Sequence, residues 1–168
     1  MGPRGRVLRL KVLSMGDTGV GKSCLIKRYC EEKFVSRYIP TIGVDYGVKP
    51  VPFGDHEVRV NLWDLAGPPE YAAVRTEFYR DGQAALLVYD ACSRPSFEAL
   101  PRWLDEAAAH GAPPGMVSAA SGRGVRALFA SLFAVAIRAV PHADAGLAAS
   151  AASQALAAMQ AEGLACAD

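Results

Sequence analysis

The eight residues Gly16-Asp17-Thr18-Gly19-Val20-Gly21-Lys22-Ser23 constrain this chain more than any other stretch. They match G-x-x-x-x-G-K-S and stand between an apolar run, Leu8 to Met15, and a helix-forming run, Lys22 to Cys30. A strand, a glycine-rich turn and a helix in that order predict an α/β fold with a mostly parallel sheet and helices on both faces. The residue types also dictate a chemistry. Glycines let backbone N–H groups converge on phosphate oxygens, and the helix N-terminus adds positive potential. Lys22 is expected to reach the β- and γ-phosphates of a nucleotide, and the Ser23 hydroxyl to ligate Mg²⁺.

The rest of the chain fits that start. Asp45 to Phe53 and Glu57 to Asp64 alternate in the manner of strands, with Gly54-Asp55 between them, which predicts an antiparallel hairpin. Ala84 to Tyr89 is a short apolar run and reads as a further buried strand. Ser96 to Ala109 reads as a helix with Ser96 as N-cap. Val125, Leu128, Phe129, Leu132, Phe133, Ala136 and Val140 recur at three- and four-residue spacing, the core stripe of a helix ending before Pro141. These elements divide the chain into an arm (1–7), one domain (8–140) and an Ala-rich tail (141–168). The tail is expected to be a marginal helix or disordered.

Charge and composition remove several function classes. A net charge of +1 on 168 residues gives no footprint for nucleic acid, and Arg4, Arg6 and Arg9 read as a solvated arm. Cys24, Cys30, Cys92 and Cys166 form no C-x-x-C pair and suggest reduced thiols in an intracellular protein, cytoplasmic or nuclear. MGPRGR lacks the Ser or Thr of a myristoylation signal, and ACAD is not a C-a-a-X box, so no lipid anchor is expected.

A second acidic element agrees with the first motif. Asp64-Leu65-Ala66-Gly67 follows a predicted strand, where Asp64 would hold Mg²⁺ and the Gly67 N–H would meet the γ-phosphate. Between the two motifs lies Tyr38-Ile39-Pro40-Thr41-Ile42-Gly43-Val44-Asp45-Tyr46. With these residues the chain resembles the Ras-like small GTPases and their Rab branch, in the pairing of T-I-G-V-D-Y with W-D-x-A-G. The stretch from Lys11 to Val48 is most similar to the GTPase region of Rab-like proteins that carry a J domain.

That resemblance implies a P-loop small-GTPase fold and a switch that binds GTP or GDP with Mg²⁺. It implies that Thr41 senses the metal and the γ-phosphate, and that Phe34, Cys24, Ser118, Ala119 and Ala120 stand at the guanine. It further implies that Thr41 to Tyr46, Trp63 and Phe78 face effector or regulator proteins. A plain core role for Tyr46, Trp63 and Phe78 fits their spacing equally well.

Three departures matter. No His-Pro-Asp of a J domain occurs. Pro68 stands where small GTPases place the glutamine that orients the attacking water, so slow hydrolysis is expected. Between His110 and Val117-Ser118-Ala119-Ala120, the counterpart of S-A-K, only a few residues stand where the family has a strand, N-K-x-D, a helix and a strand. Such a unit takes roughly 30 residues. The missing Asp would accept two hydrogen bonds from guanine, and losing both costs about 3–6 kcal/mol, or roughly two to four decades of affinity. The strand at Ala84 should also lose a neighbour and become an exposed edge. A spliced or misassembled form, a genuine short form and a unit supplied by a partner all fit this gap. The phosphate half supports a switch; Pro68 and the lost base motif support a binding module without nucleotide selectivity. An ATP-using kinase would need an Arg-rich lid, which the sequence lacks.

Overall fold

A computed structural model of the chain describes residues 7–32, 37, 39–53, 56–112 and 125–138, and positions 146, 149–151, 153, 154 and 157. The elements are β1 (Val7–Met15), α1 (Lys22–Glu31), β2 (Val44–Phe53), β3 (His56–Leu65), α2 (Ala72–Arg75), β4 (Ala84–Leu87), α3 (Arg94–Glu98), α4 (Leu100–Ala109) and α5 (Val125–Arg138). Short 3₁₀ turns, Pro69–Tyr71 and Thr76–Phe78, flank α2.

Among the described residues the strands form one sheet in the order β2-β3-β1-β4. β1 pairs in parallel with both β3 and β4, and β2 and β3 form the expected antiparallel hairpin. Period-two alternation explains how the central strands serve two cores at once. Leu10 and Val12 of β1, Val58, Val60 and Leu62 of β3, and Ala84 and Leu86 of β4 face one layer, where Ile26, Phe129, Leu132, Phe133 and Ile137 meet them. Leu13, Met15, Leu65, Ala85 and Leu87 face the other, against Tyr79, Trp103 and Ala107. This burial on both faces is what a parallel sheet requires. A stacked pair, Tyr29 over Phe129 with centroids 3.8 Å apart, joins α1 to α5.

The structure corrects three sequence expectations. Ser96 does not cap the long helix. That segment is two helices, the first beginning after Ser93, whose side chain makes no capping bond, and the two broken at Ala99, because Pro101 has no N–H for a continuous ladder. Ser96 is buried instead, and its hydroxyl accepts from the Asp90 N–H at 3.0 Å. The strand predicted to reach Tyr89 ends at Leu87. β4 does stand at the edge of the sheet, paired only with β1 among the described residues, but the edge is not exposed: Ala84 to Leu87 are 0–2% exposed, with α5 packed against the strand. In α5, Phe129, Leu132, Phe133 and Ala136 of the predicted stripe are buried. The side chains of Val125 and Leu128, and all of Val140, lie outside the described residues. In the tail, 149–151 are helical and Ala151 is buried in the Phe129 cluster, so alanine alone suffices for that contact.

Candidate phosphate and metal site

The turn between β1 and α1 brings the predicted phosphate residues together. Gly16 has φ +143°, and a Cβ there would lie 2.1 Å from the Val88 carbonyl oxygen, so only glycine fits against β4's continuation. Lys22 opens α1 and folds back over the turn, donating to the carbonyls of Gly16 at 2.7 Å and Asp17 at 2.8 Å. Burial lowers its ammonium pKa to about 8, against the pull of Asp64 and Asp17. Its third N–H has no partner among the described residues, which fits a group held ready for a phosphate oxygen. Thr18, Gly19, Gly21, Lys22, Ser23, Cys24, Thr41 and Gly67 line one cleft of about 190 Å³. Val20 turns away and packs on the core beside α1. The Asp17 side chain also leaves the cleft, accepting from Trp103 Nε1 at 2.8 Å and Arg102 Nη2 at 2.9 Å on α4.

Three oxygens converge at the inner end of this cleft. The Ser23 hydroxyl donates to Asp64 Oδ2 and lies 2.9 Å from Thr41 Oγ1, which reaches Asp64 Oδ2 at 3.2 Å. The second carboxylate oxygen, Asp64 Oδ1, is buried without a hydrogen-bond partner among the described residues. Burial raises the Asp64 pKa, opposed by Ser23, Lys22 and Thr41. An uncompensated buried carboxylate oxygen is costly, and a hard divalent cation is the natural remedy. The donor set of Ser23, Thr41 and Asp64 is all oxygen and fits Mg²⁺.

Gly67 closes the cleft from the β3 side. A Cβ there would lie 2.5 Å from the Thr18 nitrogen, so the loop after β3 rests directly on the phosphate turn. Pro68 follows in extended conformation and also lines the cleft.

The cleft includes residues that sequence reasoning missed. Lys27 and Arg37 add two cations to its wall, with Ile39 and Pro40 beside them. Lys27 follows Lys22 by five residues on α1, a signal too weak to separate from an ordinary solvated lysine. Of the predicted base residues, Cys24 lines the cleft, while Phe34, Ser118, Ala119 and Ala120 lie outside the described residues. Tyr46, Trp63 and Phe78 form one aromatic row, with centroid separations of 4.6 and 4.9 Å, and Tyr46 is 50% exposed.

A glycine turn over a helix N-terminus, a buried lysine folded across it, and a Ser–Thr–Asp oxygen cluster on an α/β sheet are what a nucleotide-phosphate site requires. Comparison with known proteins agrees: residues 11–133 match the Ras family, and the chain belongs to it. It is 57% identical over 102 residues to DnaJ homolog subfamily C member 27 of Homo sapiens, covering 61% of this chain and 37% of that protein. It is 56% identical over 99 residues to the Danio rerio protein of that name and to DnaJ homolog subfamily C member 27-B of Xenopus laevis, covering 59% of this chain and 36% of each relative. The chain therefore spans little more than a third of the length of these relatives. No helix among the described residues is long and apolar enough to cross a membrane.

Proposed function

We propose that this Ras-family chain is a Mg²⁺-dependent GTP/GDP switch that hydrolyses GTP slowly and recruits effectors through Thr41 to Tyr46, Trp63 and Phe78. One observation carries the reading: the unpartnered Asp64 Oδ1 beside Ser23, Thr41 and the free donor of Lys22. Ser23, Thr41 and Asp64 would hold a divalent cation there, and Lys22 would bind a phosphate oxygen beside it. Thr41 and Gly67 both line the cleft, so a terminal phosphate would be read by both. Slow hydrolysis follows from Pro68, which has neither a side-chain donor nor an N–H to orient water.

A second reading rests on a different observation. The sequence has no N-K-x-D, so the site recognises phosphate and metal better than it recognises guanine. In that case the chain is a binding module that presents the aromatic row whatever base it holds. Titration of the purified, nucleotide-free chain with fluorescent GDP and ADP in Mg²⁺ separates the two, with Lys22→Ala as control. Tight binding with GDP preferred, lost in Lys22→Ala, supports the switch. Weak binding without base preference, lost in the same variant, supports the module. Binding unaffected by Lys22→Ala or by chelating Mg²⁺ overturns both.

A further inference from the structure

Arg75, at the end of α2, is 5% exposed and belongs to none of the motifs above. Its guanidinium makes two sets of bonds. Nε and Nη2 donate to Glu106 Oε1 and Oε2 on α4, at 2.7 and 2.6 Å. Nη1 donates to the Pro68 carbonyl at 2.8 Å and reaches those of Ala66 and Gly67 at 3.4 Å. Tyr79 Oη donates to Glu106 Oε1 at 2.5 Å. The Arg75 plane lies over the Trp103 ring, 4.6 Å from its centroid, and Trp103 Nε1 holds Asp17 of the phosphate turn. A continuous set of contacts thus runs from the phosphate turn through α4 to the three carbonyls of the loop after Asp64.

The chemistry of this set is directional. A planar fork bonded to both carboxylate oxygens cannot rotate without losing two charge-assisted bonds. The free edge of the fork is therefore aimed at Ala66, Gly67 and Pro68. All the groups involved belong to the protein, so the position of Gly67 is set by Arg75 and Glu106 as well as by whatever phosphate the cleft holds.

We propose that Arg75 is a positioning residue, held by Glu106, that seats the Ala66–Pro68 loop on the phosphate turn and so presets Gly67 for a terminal phosphate. Preorganisation of this kind spares the ligand the cost of ordering the loop. It acts selectively, because only a ligand with a third phosphate uses the Gly67 N–H. The proposal rests on the nucleotide reading for its second readout below, but not for its first.

The test uses Glu106→Gln, which keeps the side-chain shape and removes the charge, with Arg75→Lys as a second variant that keeps the charge and removes the fork. The first readout is amide hydrogen exchange of the full chain without nucleotide. Exchange at the amides of Ala66, Gly67 and residues 70–72 should accelerate by about tenfold or more in both variants, while amides of β1 and α1 stay within about twofold. Acceleration spread evenly over all elements, or none at these loop amides, overturns the proposal. Should one variant fail to fold, the other carries the same comparison. The second readout is the affinity ratio of a non-hydrolysable GTP analogue to GDP. It should fall by about tenfold in each variant through loss of analogue affinity alone. An unchanged ratio with accelerated loop exchange overturns the link to the terminal phosphate. Failure of the wild-type chain to bind either nucleotide would instead overturn the nucleotide reading, and the exchange result would stand by itself.

Discussion

Replacing Gly67 by alanine tests how tightly the loop after Asp64 is held. A Cβ at this position lies 2.5 Å from the Thr18 nitrogen, 2.8 Å from the Asp17 carbonyl carbon and 2.9 Å from the Thr18 Cα. All three are backbone atoms, so no side-chain rotation relieves the overlap. Reaching an ordinary 3.4 Å contact with the Thr18 nitrogen takes about 0.9 Å of movement, the difference from 2.5 Å. That movement has an opponent. Shifting Pro68 outward by the same amount lengthens its 2.8 Å bond from Arg75 to as much as about 3.7 Å, past hydrogen-bond range.

The cost therefore lies between overpacking, if the loop stays, and a broken charge-assisted bond, if it moves. Both are on the order of 1–3 kcal/mol. For a chain of this size that corresponds to a fall in Tm of about 2–12 °C, measured by calorimetry. The analogue-to-GDP affinity ratio should fall with it, because Gly67 leaves the place where a third phosphate would meet it. Glu106→Gln in the same chain should add less than its separate effect, since both substitutions release one loop. A Gly67→Ala chain with unchanged Tm and unchanged nucleotide affinities would refute the reasoning. So would strict additivity with Glu106→Gln, which would mean that the fork and the glycine do not share a constraint.

Two further outcomes follow from the same site. Pro68→Gln restores a side chain able to orient water, and single-turnover GTP hydrolysis should rise by about tenfold or more; an unchanged rate would show that the loop, rather than the residue type, limits hydrolysis. Burial raises the Glu106 pKa, but the bonds from Arg75 and Tyr79 outweigh it and hold the carboxyl below its ordinary value of 4.5. A depressed carboxylate contributes stability that is present above the unfolded value and is lost as pH falls through the folded one. Chemical-denaturation midpoints between pH 6 and about pH 3 should thus decline less steeply in Glu106→Gln than in wild type, and parallel curves would contradict this.

The phosphate half of the site was legible in the sequence because local geometry builds it. Gly16 to Ser23 is one turn and the start of one helix, and its spacing alone converges N–H groups and Lys22 on one point. Asp64 was legible for a related reason, since it sits near the end of a strand recognisable from alternation, whereas Thr41 was reached only through the family resemblance. The two-sided core was equally readable, because β1 is mostly apolar, with Leu10 and Val12 on one face and Leu13 and Met15 on the other. Arg75 was not legible. Its partner Glu106 lies 31 residues away on α4, and nothing in A-A-V-R or in D-E-A-A-A marks either residue as more than a solvated charge. Only the packing of α4 against the sheet brings the two carboxylate oxygens under the fork. Ser96 failed as a cap for a similar reason: its hydroxyl found the Asp90 backbone, a tertiary partner that propensity cannot see.

The contrast has a functional consequence. A site whose phosphate and metal groups come from one local turn and two strand ends survives the loss of a distant strand–helix–strand unit, because none of its ligands resides there. Base recognition in this family is non-local, and it is the part that the N-K-x-D gap removes. The loop that would read a terminal phosphate is tied by Arg75 to Glu106 on α4, which precedes the gap, so the proposed reading does not depend on the lost segment. Under the proposed reading, phosphate state would be sensed in this chain even where base identity is not, and the aromatic row of Tyr46, Trp63 and Phe78 would answer to the number of phosphates before it answers to guanine.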